Sequence, residues 1–231
     1  MVKEIFRRVE NGEKGVSVVP SVIEEFREML KRASGATLKQ NEIIGLIGEL
    51  KFLSTIAQNN PAALRNWHGP SGAPHDFYNS KISVEIKSSI MRGKSIKISS
   101  LEQLQTPTGS DLYLALYLFE GNPNGNISVP ILIDTIMNYG VEPNLFEDKL
   151  GLIGYDISHH ENYRDDKYNL ANEHFYSVDD SFPKITRKSF GNEFPQNITS
   201  ASYELNLNSA HPPALDGTII SEIISKSAAI E

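Results

Sequence analysis

Pro74-His75-Asp76-Phe77-Tyr78-Asn79-Ser80-Lys81-Ile82-Ser83-Val84-Glu85-Ile86-Lys87-Ser88 carries the pattern that decides the fold. From residue 82 onward apolar and polar residues alternate: Ile82, Val84 and Ile86 fall on one side, and Ser83, Glu85 and Lys87 on the other. That is the period of a half-buried strand, so Glu85 and Lys87 share a face. Upstream, Asn79-Ser80 suits a tight hairpin turn. With a two-residue loop, Tyr78 pairs with Lys81 and Asp76 with Ser83, which sets Asp76 on the Glu85 face and diagonal to it. A slip of one residue would turn Asp76 to the other face.

Two carboxylates converging beside a backbone carbonyl form a hard oxygen site of the kind Mg2+ uses, with water and a substrate phosphate completing the shell. Asp76, Glu85 and the Ile86 carbonyl are the candidate ligands, and Lys87 is placed to hold or polarise a nucleophile. Mn2+ is expected to substitute.

A helix is predicted over residues 39–58, where Ile43, Leu46, Ile47, Leu50, Leu53 and Ala57 form an apolar stripe at helical spacing. Glu49 lies at the border of that stripe, roughly 90° from its centre, and can point along the sheet without being buried. Gly45 and Gly48 are each expected to cost about 1 kcal/mol against alanine, so close approach of another backbone or a ligand is anticipated there. Read alone, without the downstream motif, Glu49 is better taken as an exposed glutamate beside two tolerated glycines.

The arrangement resembles the PD-(D/E)XK nuclease superfamily, in which an acid precedes a Glu-x-Lys strand and a further glutamate lies on an earlier helix. Asp76, Glu85 and Lys87 match that motif by position, with His75 standing between Pro74 and the acid. Gly45-Leu46-Ile47-Gly48-Glu49-Leu50, Trp67-His68-Gly69-Pro70, Val84-Glu85-Ile86-Lys87-Ser88-Ser89 and Ser99-Ser100-Leu101-Glu102-Gln103-Leu104 are similar to its bacterial branch DUF4420, whose genes often sit near restriction-modification genes. The resemblance spans about residues 41–207. It implies an N-terminally shortened version of the branch. It also implies that Glu49 is the helix-borne acid, orienting water or helping to hold a second metal, and that Gln103 matches a glutamine some branches place behind the Glu-x-Lys strand. A surface glutamine is nearly as good a reading of Gln103.

The chain has 231 residues, enough for one substantial core, and a single domain over 1–231 is expected. Its longest apolar run, at 112–119, is far short of a membrane span. The start lacks an export pattern, and with no cysteine there are neither disulfides nor thiolate metal sites. A cytoplasmic protein is expected. The net charge of -7 argues against general nucleic-acid affinity, yet Lys81, Lys87, Arg92, Lys94 and Lys97 against Glu85 alone make a local basic segment. Ser88, Ser89, Arg92 and Lys94 are therefore candidate phosphate contacts; a solvated loop is the plain alternative.

Around this centre, a helix is predicted after Ser21, stopping at Gly35. Strands are expected at 64–67, 95–98 and 111–119, with a short helix capped by Ser99 or Ser100 reaching Leu104. Further on, 131–139, 144–150 and 218–229 look helical, while 152–157, 173–178 and 201–207 look like strands. His68 and His75 flank a Gly/Pro-rich loop, and His159-His160-Glu161 with Asp165-Asp166 reads as a polar loop because its spacing fits no metal pattern.

The expected fold is α/β: a restriction-endonuclease-like core at about 39–120, with a mixed central sheet flanked by helices, and a C-terminal α+β extension at about 127–231. The expected function is a Mg2+-dependent endonuclease acting on DNA in a restriction-modification or phage-defence system, as a homodimer or with subunits of a defence complex. The rival reading is a catalytically silent binding or assembly subunit that keeps the nuclease fold; RNA as substrate stays open.

Overall fold

A computed structural model describes residues 37–230 apart from 91–92, 192–194, 196, 199 and 209–211. The helix predicted after Ser21 and the candidate Arg92 lie outside the described residues.

Helix α1, Gln40–Asn59, buries the predicted stripe of Ile43, Leu46, Ile47, Leu50, Leu53 and Ala57. At its start the Lys39 backbone N–H donates to Glu42 Oε2 at 2.7 Å. At its end Asn60 turns extended, and its side chain accepts from the Ala62 N–H to open a 3-10 turn, Pro61–Asn66. A strand had been expected over 64–67. Proline in the first turn is preorganised for helical backbone, and an asparagine cap ahead of it selects the turn instead. Trp67 then makes an isolated antiparallel bridge to Phe77.

The main sheet has the order β1-β2-β4-β5, built from β1 (Phe77–Tyr78), β2 (Ile82–Ile90), β4 (Asp111–Gly121) and β5 (Tyr168–Ser177). β2 and β4 run parallel, and both outer pairs are antiparallel, so the sheet is mixed. β3 (Ser95–Ile98) pairs instead with β6 (Tyr203–Asn206) in a separate two-stranded ribbon.

Both faces of β4 are buried, as its near-continuous apolar run requires. On one face Ala115, Tyr117 and Phe119 pack with Ile82, Val84 and Ile86 of β2 and with the helices. These are α1, α2 (Val129–Asn138), α3 (Pro143–Ile153) and α4 (Gly217–Ser227). On the other face Leu112, Leu114, Leu116 and Leu118 meet Ile96, Ile98, Leu205 and Leu207 of the ribbon. The restriction-endonuclease-like α/β class follows, with helices flanking the sheet and the ribbon closing its second side.

Gly48 explains how closely α1 lies on β2. A Cβ there would fall 1.8 Å from Ser88 Oγ and 3.2 Å from Ile86 Cγ2. A Cβ at Gly45 meets no described atom within 4 Å, so the close approach anticipated for both glycines is found at one.

Residues 152–157, expected as a strand, continue α3 to Ile153 and then stop at Gly154, whose φ of 90° caps the helix. Residues 101–104 form a turn, not the expected short helix. At the far end, α4 is clamped by three asparagines. Asn60 Nδ2 donates to the Ala228 carbonyl, Asn66 Nδ2 to the carbonyls of Ser227 and Ala229, and Asn79 Nδ2 to those of Lys226 and Ala229. The last carbonyls of a helix lack partners within it, and these side chains supply them.

Candidate active site

The β1–β2 hairpin has a four-residue loop, not two. Tyr78 stands opposite Ser83 and Phe77 opposite Val84. Asn79 accounts for the longer loop: its Oδ1 accepts from the N–H groups of Lys81 and Ile82, and its own N–H donates to the Ile82 carbonyl. The register differs by two residues from the expected one. An even shift keeps every side chain on its face, so Asp76 comes level with Glu85 instead of diagonal to it.

β1 begins only at Phe77, opposite Val84, so from Glu85 onward this edge of β2 has no strand beside it. Asp76 fills the gap: its Oδ2 accepts from the Ile86 N–H at 2.7 Å. The N–H and C=O of one residue in a regular strand point to the same side, so the Ile86 carbonyl faces this edge too. The Asp76 carbonyl in turn accepts from the N–H groups of His68 at 2.7 Å and Gly69 at 3.0 Å.

Glu49 reaches the same edge from α1. Its Oε2 accepts from Trp67 Nε1 at 2.7 Å, and the fully buried Trp67 ring is gripped by Phe77 and Phe146. Lys149 of α3 donates to the Trp67 carbonyl and so pins the segment that orients both acids. Gly69 sits between them: a Cβ there would fall 2.6 Å from Glu49 Oε2 and 2.9 Å from Asp76 Oδ1.

Glu85 is 1% exposed. Lys87 Nζ lies 2.9 Å from Glu85 Oε1, an ion-pair contact without hydrogen-bond alignment, and neither Glu85 oxygen has a hydrogen-bond partner among the described residues. Lys87 Nζ also donates to Gln103 Oε1 at 3.1 Å, and the same oxygen accepts from the Ser99 N–H at 2.8 Å. Gln103 thus holds the lysine from a turn that is itself tied down.

The electrostatics follow from three acids and one lysine in a space with little water. Burial, then repulsion from Asp76, pushes Glu49 up to about 8, against the pull of the Trp67 N–H and Lys87. Burial lifts Asp76 to about 6 although the Ile86 N–H and Lys87 hold it down. Burial and Asp76 raise Glu85 well above the usual range, with Lys87 opposing. Such a cluster favours taking up positive charge, as protons or as a cation.

Among the described residues no three His, Asp or Glu side chains are already gathered as a metal cage. Mg2+ needs no such cage, since one or two carboxylates with water and phosphate suffice. The donor set fits: Asp76 and Glu85 offer hard oxygens, Glu85 Oε2 is buried and unpaired, and the Ile86 carbonyl faces the same edge. Glu49 stands close enough to repel both acids.

A family model described as "Putative PD-(D/E)XK family member, (DUF4420)" matches residues 1–208. The chain belongs to the DUF4420 family. Comparison with curated proteins and with solved structures gives no match. Within this DUF4420 chain the structure therefore brings Asp76, Glu85, Lys87, Glu49 and Gln103 to one edge of the sheet.

The remaining candidates are placed differently. Ser88 turns inward, its Oγ buried against Gly48 and without a partner among the described residues. Ser89 shares the Lys87 face, with its Oγ donating to the Ile90 carbonyl. Lys94 lies beyond β2, where its backbone N–H donates to Asn208 Oδ1. His68 stacks on Tyr78 with ring centroids 3.8 Å apart, and His75 is buried against the backbone of residues 102 and 105. His159 pairs with Asp156 and His160 with the Tyr155 hydroxyl, away from any shared ligand geometry. Trp67 and Gly69 enter the sequence reading only within the Trp67-His68-Gly69-Pro70 motif, without a role at the site, and Lys149 does not enter it. Trp67, the chain's one tryptophan, was the available signal.

Proposed function

We propose that this chain is a Mg2+-dependent endonuclease that hydrolyses DNA phosphodiester bonds. The observation that carries the reading is the convergence of Asp76, Glu85, Glu49 and Lys87 at the open edge of β2, where Asp76 is bound to the Ile86 N–H and Lys87 to Gln103. Asp76, Glu85 and the Ile86 carbonyl would hold the cation, with Mn2+ an effective substitute. When bound, the cation supplies Lewis-acid stabilisation of charge on the phosphoryl group and lowers the pKa of water.

The protein's own groups do the positioning. Lys87, held by Gln103 and Glu85, orients the attacking water and stabilises negative charge as it develops. Glu49 has one oxygen fixed by Trp67 and is pushed up to about 8, near the range useful for proton transfer. Its Oε1 would orient the attacking water or, ionised, help to hold a second cation. Lys81, Lys94 and Lys97 make the sequence around the Glu-x-Lys strand locally basic, which suits a phosphate backbone. A setting in bacterial restriction or phage defence rests on the family resemblance, as does DNA over RNA.

Plasmid cleavage with Mg2+, Mn2+ or EDTA, comparing the protein with its Lys87→Ala form, tests the reading. Cation-dependent nicking that disappears in the variant is expected. Equal residual activity in both would mark a contaminant and remove the assignment. Silence in both, with Mn2+ binding seen by calorimetry, would replace it with an enzyme that needs a partner.

A further inference from the structure

Lys149 is a charged side chain that the hydrolytic reading leaves without a task. It lies on α3, 82 positions from the residue it binds, and it is half-buried. Burial holds its amine below the ordinary lysine range, with no acid among the described residues opposing the shift. An ammonium drawn out of water is ordinarily paired with a carboxylate. This one donates instead to a neutral acceptor, the Trp67 carbonyl. An unbranched apolar side chain of similar size would pack there without that cost, so the charge itself calls for a role.

The role follows from what the Trp67–His68 peptide touches. Its carbonyl takes the Lys149 bond. Its N–H, on the opposite side of the same planar unit, donates to the Asp76 carbonyl at 2.7 Å. A charged donor on the carbonyl polarises the peptide and strengthens the bond that the N–H makes. The Gly69 N–H joins the same acceptor at 3.0 Å. Trp67 serves Glu49 as well, through Nε1 to Oε2 at 2.7 Å. Phe146, one turn before Lys149 on α3, packs on the indole with ring centroids 6.1 Å apart, so one helix face grips both the ring and the backbone of Trp67. The charge also reaches the next residue, where burial and then Lys149 lower the His68 imidazole.

We propose that Lys149 is a positioning residue for the cation site: through the Trp67–His68 peptide it fixes Asp76 and Glu49 in the arrangement that takes up a divalent cation. It touches neither the substrate nor the reacting atoms. This inference rests on the reading of Asp76 as a cation ligand, and it extends that site to a helix outside the Glu-x-Lys motif.

The test uses the full chain and two variants. Lys149→Met keeps an unbranched side chain and loses the charge, and Lys149→Arg restores the charge. Thermal unfolding in EDTA verifies that both are folded. Calorimetry measures Mn2+ affinity, and plasmid nicking separates kcat from KM. The chain has one tryptophan, so its single indole N–H resonance, followed by hydrogen exchange in EDTA, reports the Glu49 contact without a cation. Loss of a group that supports a metal ligand typically costs about 10–100-fold in affinity or activity. Lys149→Met is therefore expected to weaken Mn2+ binding about tenfold and to lower kcat by about the same factor, with KM little changed. Its indole N–H should exchange faster. Lys149→Arg should recover most of each loss.

Native Mn2+ affinity in a folded Lys149→Met protein overturns the proposal, whether or not plasmid is nicked. Equal losses in both variants overturn it too, because they assign the effect to packing, and so does a native protein that binds no Mn2+. Weaker Mn2+ binding in Lys149→Met that Lys149→Arg recovers, with no nicking by the native protein, keeps the positioning role and removes the nuclease reading.

Discussion

Raising the pH should destabilise the cation-free protein, because the acids at the open edge of β2 hold protons in the folded state. Glu49 moves from an ordinary 4.5 to about 8 and Asp76 from 3.8 to about 6. A carboxyl whose folded pKa is raised contributes stability that is complete below its unfolded value and is lost as pH climbs through the folded one. The loss therefore runs from about pH 4 to pH 8. At 1.36 kcal/mol per pKa unit, Glu49 alone sets an upper bound of about 5 kcal/mol; its remaining solvent access reduces this to on the order of 2–3 kcal/mol. That is a sizeable part of the roughly 5–15 kcal/mol that holds a domain together. Chemical unfolding in EDTA at pH 5, 6.5 and 8 measures the slope, and a parallel series with Mn2+ should recover stability most at pH 8. Glu49→Gln keeps an acceptor for the Trp67 indole and carries no titrating proton, so its curve should be flatter and lie above the native protein's at pH 8. Stability that rises from pH 5 to 8, or a variant with the native slope, would refute the electrostatic argument.

Three further outcomes are expected. Gly69→Ala inserts a Cβ 2.6 Å from Glu49 Oε2 and 2.9 Å from Asp76 Oδ1; calorimetry should show Mn2+ affinity falling about tenfold, near 1.4 kcal/mol, with unfolding little changed. Gln103→Leu leaves Lys87 and the Ser99 N–H without their shared acceptor, and cleavage should drop about tenfold or more while cation binding stays close to native. Gly48→Ala drives a Cβ into Ser88 Oγ at 1.8 Å and should cost about 1–3 kcal/mol in urea unfolding; Gly48→Ala with Ser88→Ala should regain part of that loss.

Much of the site was legible because it is built from local periods. The alternation from Ile82 to Lys87 set the shared face of Glu85 and Lys87, and the apolar stripe of α1 set the direction of Glu49. What escaped was decided by single side chains acting on backbone. Asn79 lengthened the hairpin loop by capturing two N–H groups, a choice that alternation cannot register because a shift of two preserves every face. Asn60 and Pro61 made a turn of residues that carry strand-like apolar character, and Gly154 ended a helix where isoleucine and leucine suggested a strand. Trp67 was illegible as a partner of Glu49 because the contact joins positions 18 apart in sequence across two elements whose packing no local pattern specifies. The pairing of β3 with β6, more than a hundred residues away, is of the same kind.

The asparagine clamp on α4 has a consequence in time. Asn79, in the loop of the β1–β2 hairpin, finds its acceptors at Lys226 and Ala229, the first of them separated from it by 147 positions. During synthesis at about 5–20 residues per second, the hairpin is made many seconds before its anchor exists. Contacts so distant in sequence also form late in folding. A nascent chain therefore carries the acids and lysine with the loop beside them untethered until residues 226–229 have been made.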